Sequence, residues 1–301
     1  SGPKSTEEIA LKLVVLARPL DVYLGYLVAM GLAERHEGLW QASAQGAAWL
    51  EPGSGGYWGP LFEAFQQSKP LHQQILMTLK QQLVAISPQS AVHEWERGEL
   101  PPERAAAIAA FMNSLSISAA EALSRNYMFN DSKNVLDVGG GSGAYAIGLA
   151  KAHEHLRATV LDIDSMCRVA DEYILASEIA DRVNTVAMNM FIDKLPKGYD
   201  THLFSNIFHD WSEETNEILA SRSFDALPHG GKILLHEMLV DDDGCGPLTT
   251  LSFSVLMLIG TRGRQYKLSE LRVILENAGF VEVQATQTGS GYYSVVSARK
   301  P

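Results

Sequence analysis

Two short segments hold the side chains best able to move a proton: LFSNIFHDWSEE, with His209, Asp210 and Trp211, and GGKILLHEMLV, with His236 and Glu237. An imidazole with a carboxylate to orient it is the usual arrangement for taking a proton from a hydroxyl, or from a carbon next to a carbonyl. Taken singly these are weak signals, because a lone histidine at a strand end is more often structural and a lone glutamate there is often only solvated. Their placement adds weight. Both segments run off apolar stretches of strand character, and ligands of open α/β sheets bind just beyond the carboxyl ends of such strands.

The second chemical feature is VLDVGGGSG, residues 135–143, where an apolar run enters Gly139, Gly140, Gly141 and Gly143. A buried strand ending in a tight turn lets a ligand approach backbone closely, and the helical spacing of AYAIGLAKAH just after it puts a helix N-terminus at the same point. The glycines alone leave the ligand open. Gly139, Gly141 and Ala144 fit a dinucleotide pattern with alanine in the last place, and Asp162 follows at about the right distance; S-adenosylmethionine (SAM) is the other candidate. Asp137 bears on the choice, since at the strand's carboxyl end it would repel a pyrophosphate and attract an ammonium and a sulfonium. On charge, SAM is favoured over a dinucleotide. The bland alternative is a helix-packing turn without a ligand.

These segments need a scaffold, and from residue 133 strands alternate with helices. Candidate strands at 133–138, 157–162, 183–188, 199–207 and 231–239 predict an α/β fold, a Rossmann-like doubly wound sheet. FVEVQATQ and YYSVVSAR, parted by TGSG, read as a hairpin, so at least one edge strand is antiparallel, which suits a methyltransferase sheet better than an NAD domain. Residues 5–50 read as helix, helix and a short β element, with a Ser5–Glu8 capping box, Gly31 as a helix stop and Glu37-Gly38 turning a hairpin. That is a winged-helix-like pattern. Its would-be recognition helix, about Leu20–Met30, carries no lysine or arginine, so phosphate contacts would be few and packing or dimerisation is the expected role. A connector at 51–60 leads to helices near 60–85 and 101–125, separated by the polar stretch SPQSAVHEWERGELPP. The expected division is an N-terminal lid or dimerisation region, 1–100, and a ligand-binding domain, 101–301.

With 301 residues, 46% hydrophobic and 20% charged, the composition is that of an ordinary globular protein. A formal net charge of -11 leaves no basic footprint for nucleic acid or an anionic membrane. The apolar stretches, such as SVLMLIG from Ser254, read as too short to span a bilayer. Cys167 and Cys245 lie far apart without metal-ligand spacing, in keeping with a reducing, cytoplasmic setting and no metal. The opening Ser1-Gly2 reads as the remnant of a cleaved tag.

Taken in order, LDVGGGSG, ATVLDID, NIFHDWSEE and GGKILLHEMLV resemble the SAM-dependent small-molecule O-methyltransferases of the caffeic acid and acetylserotonin type, bacterial antibiotic and polyketide members above all. The resemblance covers about residues 105–301 well and the winged-helix region loosely. It implies SAM as cofactor, its amino acid end held by Gly139, Gly140, Gly141 and Gly143 with Asp137 beside the ammonium. It also implies Asp162 on the ribose hydroxyls, Asn189, Met190 and Phe191 around the adenine, Ser205 along the methionine portion, and Met112 and Ser116 on a helix that lids the site. His209 matches the general base and Glu237 the carboxylate that orients it, with Asp210 sharing that role. Two positions depart from the pattern. Asn189 stands where the family usually has aspartate, and Gln265 stands where plant members place a second glutamate, so charge balance at His209 falls to Glu237 and Asp210. Phe253 and Met257 are placed at the acceptor pocket.

The implied reaction is methyl transfer to a hydroxyl of a small metabolite. Methylation at carbon beside a carbonyl, with His209 and Glu237 removing the proton, is the alternative, and a non-catalytic SAM-binding scaffold is a third reading. The family's N-terminal dimerisation region holds more helix than this chain does. Two expectations follow: a trimmed homodimer, or a monomeric domain of a modular polyketide synthase whose acceptor arrives on an acyl carrier protein.

Overall fold

Glu37 and Gly38 both take left-handed backbone, φ 50° and 81°, which is what a two-residue turn needs to reverse a right-twisted strand. They join β1 (Ala33–His36) to β2 (Leu39–Ala42) in an antiparallel pair. Ahead of the hairpin, α1 (Thr6–Leu13) starts at the expected capping box: Ser5 Oγ accepts from the Glu8 amide and the Glu8 carboxylate accepts from the Ser5 amide. After it come α2 (Ala44–Leu50), capped by Ser43, and α3 (Gly59–Gln67). The sequence pattern predicts only β structure at α2. Ala10, Leu20, Leu24 and Trp40 bury together here.

In this computed structural model the described residues are 2–15, 17, 20, 24, 27–28, 31–67, 92–242, 244–289 and 291–301. The helix read at Leu20–Met30, and the one near 60–85 beyond residue 67, fall largely outside them. Two compact units are present, Ser1–Ala64 and Phe65–Pro301.

In the second unit, α4 (Val92–Arg97) and α5 (Pro102–Ser124) precede the sheet strands β3 (Asn134–Val138), β4 (Arg157–Asp162), β5 (Val183–Ala187), β6 (Thr201–Ser205), β7 (Lys232–Met238), β8 (Val281–Gln287) and β9 (Tyr293–Arg299). Their order is β5-β4-β3-β6-β7-β9-β8, with β9 antiparallel to both of its neighbours. Strand order reverses between β3 and β6. The carboxyl ends at Val138 and Ser205 therefore flank the crevice where such sheets bind ligands. The central strands β3, β4, β6 and β7 are almost wholly buried because both their faces are covered, while the edge strands β5 and β8 are more exposed. Val135, Leu203, Leu234 and Val295 pack with α6 (Ala144–Ala152), while their successors Leu136, Phe204, Leu235 and Val296 pack on the other face with α8 (Glu213–Ala226) and α10 (Leu268–Asn277). The remaining helices are α7 (Asp164–Leu175) and α9 (Leu248–Gly260).

Three differences from the sequence reading have physical causes. The stretch read as a polar connector contains α4, because Trp95 packs with Leu100, Ala105, Ile163 and Met166 while Glu94 pairs with Arg104 and Glu96 with Arg262. The fourth strand is shorter than 199–207, because Asn206 turns to φ 56° and leaves the ladder. Lastly, α5, with 23 residues, is long and apolar enough by length and composition to cross a membrane. It lies along α6 and α7, burying Ala105, Ala109, Ala119, Ala120 and Leu123, which is how a core helix of this fold is used.

Candidate active site

The glycine turn closes as its sequence demands. Gly139 (φ 70°) donates to the Leu161 carbonyl at 2.7 Å, and Gly141 (φ 57°) donates to Asp162 Oδ2 at 3.0 Å, joining the ends of β3 and β4. A Cβ on Gly139 would lie 2.5 Å from Ile207 Cδ1, and one on Gly140 would lie 2.8 Å from the Asp137 carboxyl. The turn thus forms a bare backbone cradle over Asp137.

Above it is a cleft. Of the residues singled out in the sequence, Gly139, Gly140, Gly141, Asp162, Met190, Ser205, Met112, Ser116 and Asp210 line it. Asn189 and Phe191 line a hollow shared with Gly139, Asp162 and Met190. The Asn189 amide serves the protein itself: Nδ2 donates to the carbonyls of Trp95 and Glu96, and Oδ1 accepts from the Phe191 amide. Gly143 caps α6 at φ 78°. Asp137 is fully buried beneath the turn, and among the described residues neither of its oxygens makes a hydrogen bond of normal length and angle. Burial raises its pKa to about 7, with the Ala146 amide opposing and the nearby Asp162 carboxylate adding. Burial likewise raises Asp162 to about 6, against the Ile163 and Gly141 amides.

His209 stands on a single 3-10 turn, Phe208–Asp210, at the end of β6. Its Nδ1 lies 2.6 Å from Glu237 Oε2, while Glu237 Oε1 accepts from the amides of Ile207 (3.1 Å) and Phe208 (2.9 Å). The carboxylate therefore grips the turn and orients its imidazole. Nε2 lies 3.6 Å from Asp210 Oδ1, and Asp210 itself lines the cleft. Phe253 of α9 packs edge-on at 5.7 Å and leaves His209 only 3% exposed. Burial disfavours the imidazolium, but the Glu237 and Asp210 carboxylates more than offset it and raise His209 to about 9. Behind the turn, Asn216 Nδ2 donates to the Phe208 and Trp211 carbonyls, and the Tyr266 hydroxyl donates to Trp211.

With this geometry in hand, comparison decides the family. A family profile described as O-methyltransferase domain matches residues 69–281. The chain belongs to that family. It is therefore a SAM-dependent O-methyltransferase. The methyltransferase is 33% identical over 303 residues to the 3-hydroxy-5-methyl-1-naphthoate 3-O-methyltransferase of Streptomyces sahachiroi, across 100% of this chain and 87% of that protein. It is 30% identical over 205 residues to the tetracenomycin polyketide synthesis 8-O-methyl transferase of Streptomyces glaucescens, across 68% of this chain and 60% of that one. The crystal structure of human N-acetylserotonin methyltransferase in complex with SAM matches with a TM-score of 0.81 over 99% of this chain and 88% of that one. At 20% identity, that likeness is one of fold.

The residues of the methyltransferase fit SAM. A turn with no room for a Cβ at Gly139 or Gly140, and a buried carboxylate that makes no hydrogen bond of normal geometry among the described residues, suit a cationic amino acid end. Asp162 keeps a free lone pair on each oxygen for hydroxyl donors.

Other residues singled out in the sequence fall elsewhere. His236 faces away from the catalytic turn, because side chains alternate across a strand and Glu237 takes the His209 side. His236 is instead buried against Tyr145 and Tyr293, and burial lowers its pKa to about 3. Gln265 is 1% exposed, and among the described residues its side chain has no partner, although its amide donates to Ser254 Oγ on α9. Trp95, Ile108, Tyr145, Met166 and Asn206 line the cleft without a role assigned from sequence. Only the helix after the glycine turn, which begins AY, and the Asn at the end of FSN carry any signal for two of them.

Proposed function

We propose that this methyltransferase methylates a hydroxyl of a small aromatic or polyketide-type secondary metabolite, with His209 taking the proton. The observation that carries the reading is the Glu237–His209–Asp210 array: a buried imidazole fixed at 2.6 Å by one carboxylate, with a second carboxylate, itself on the cleft wall, 3.6 Å from Nε2. The two Streptomyces relatives, named for methyl transfer to a hydroxylated naphthoate and to a tetracenomycin polyketide, support the acceptor class.

SAM, when bound, supplies a methyl already made electrophilic by the sulfonium. The protein has to align the acceptor and dispose of its proton. Alignment of two reactants supplies ~7 kcal/mol or more. Ionising a phenol of pKa ~10 at neutral pH costs about 4 kcal/mol, and a positioned base contributes about 10²–10⁴-fold. Because Nδ1 is committed to Glu237, Nε2 is the atom left to receive a proton. In the free enzyme at neutral pH the raised pKa keeps the ring protonated, so turnover should rise toward alkaline pH.

The test is incubation with SAM and a panel of acceptors: hydroxynaphthoates, simple phenols, and hydroxyacyl groups on a carrier protein. A mass gain of one methyl on oxygen, with loss of the free hydroxyl by NMR, is expected for a hydroxyaromatic acceptor. The carrier-bound arm presents the same O–H and decides the route of delivery. Methylation at carbon, or none on any acceptor while SAM binds, would refute the proposal.

A further inference from the structure

A buried hydrogen-bond chain runs from the cleft to the C-terminal hairpin and uses residues to which the reaction assigns nothing. Asn206 Nδ2 lies 3.4 Å from the Tyr145 hydroxyl, that hydroxyl 3.1 Å from His236 Nδ1, His236 Nε2 3.1 Å from Thr288 Oγ1, and Thr288 Oγ1 3.2 Å from the Tyr293 carbonyl. Ring packing holds the middle: His236 stacks on Tyr293 at 4.8 Å and meets Tyr145 edge-on at 5.4 Å.

The polarity is set from one end of the chain. The Tyr293 carbonyl only accepts, and it takes both the amide and the hydroxyl of Thr288 at 3.2 Å, so that hydroxyl accepts in turn from His236 Nε2–H. Burial keeps His236 neutral, so its Nδ1 is bare and accepts from the Tyr145 O–H. With its only proton committed, the Tyr145 oxygen accepts in turn, and the amide group facing it has to be Nδ2. Asn206 Oδ1 therefore points the other way. Asn206 is 5% exposed and lines the cleft, and among the described residues this oxygen has no partner; neither has the neighbouring Ser205 Oγ, which lines the same cleft. Asn206 also holds φ 56°, a backbone state that a non-glycine residue keeps only when its surroundings impose it.

Resting on the reading of the cleft as a SAM site, we infer that Asn206 is a cofactor-binding residue whose Oδ1 accepts from the ammonium of the methyl donor, and that His236 is a positioning residue that fixes the polarity of that amide through Tyr145. Ser205 and Asn206, which line the cleft, then each offer an oxygen to a cation, with the Asp137 carboxyl buried beneath the turn. A flipped Asn206 would turn its N–H edge toward the same charge.

The test is calorimetry with S-adenosylhomocysteine, which carries the ammonium, and 5′-methylthioadenosine, which lacks the amino acid end. Asn206→Leu is expected to weaken S-adenosylhomocysteine by about tenfold or more, the scale of a hydrogen bond to a charged group, and to leave 5′-methylthioadenosine unchanged. Asn206→Asp keeps an acceptor there and retains binding. Nitrogen NMR of the wild-type His236 ring should show Nε2 protonated and Nδ1 bare, and Thr288→Val should shift that balance and weaken S-adenosylhomocysteine in the same direction. Equal weakening of both ligands in Asn206→Leu, no weakening of either, or a wild-type ring protonated at Nδ1 would overturn the inference while leaving the cofactor reading intact. A wild-type protein that binds neither ligand would sink the cofactor reading, and this inference with it.

Discussion

His209→Ala is expected to lower kcat by about 10²–10⁴-fold, the contribution of a positioned base, while S-adenosylhomocysteine binds as tightly as before. The separation follows from placement. The ring is 3% exposed and is not among the residues that line the cleft. Its removal leaves Glu237 Oε1 still bound to the Ile207 and Phe208 amides, so the turn keeps one of its two anchors. Single-turnover kinetics beside calorimetry read the two quantities independently. Near-normal turnover in His209→Ala would show that the proton leaves by another route; parallel loss of ligand binding would show that the ring supports the cleft rather than the chemistry.

Asp137→Asn should have opposite effects on stability and on binding. The buried carboxyl has its pKa raised from 3.8 to about 7, so the folded protein holds that proton more tightly than the unfolded chain. The stabilisation from the neutral form is fully present below the unfolded value and is lost as pH rises through about 7, above which the ionised group costs about 4 kcal/mol. Asparagine removes that cost, so the free variant should melt higher than wild type above pH 7, with the gap shrinking toward pH 4. A cationic ligand needs the ionised form. The variant should therefore lose the thermal shift that S-adenosylhomocysteine gives wild type, and wild-type affinity should fall as pH drops through about 7 and, with Asp162, about 6. A variant that binds normally, or that melts lower than wild type at pH 8, would contradict this account of the cradle.

The sheet is legible in the sequence because both its faces are covered, which makes Val135–Val138 and Leu203–Ser205 read as unbroken buried runs. The glycine turn is legible because positive φ at Gly139, Gly141 and Gly143 leaves few other residues possible. The pairing of His209 with Glu237, 28 positions apart, comes from resemblance; strand alternation alone assigns His236 and Glu237 to opposite faces. What stays hidden depends on distant partners. The charges of HEWER look solvated until Arg104 and Arg262 are found beside them, and Asn206 gains its orientation from Tyr145, 61 positions away, which is itself bonded to His236, 91 positions from Tyr145.

The most direct test of the central claim, that a carboxylate-held imidazole loses its proton to become the base, is the pH dependence of kcat/KM for wild type and Asp210→Asn. The Asp210 charge helps raise His209 to about 9, whereas acceptor ionisation is common to both enzymes, so any difference belongs to the protein. The account predicts an alkaline rise in wild type that moves to lower pH in Asp210→Asn, as burial gains over the remaining Glu237 charge. Superimposable limbs in the two enzymes would contradict it.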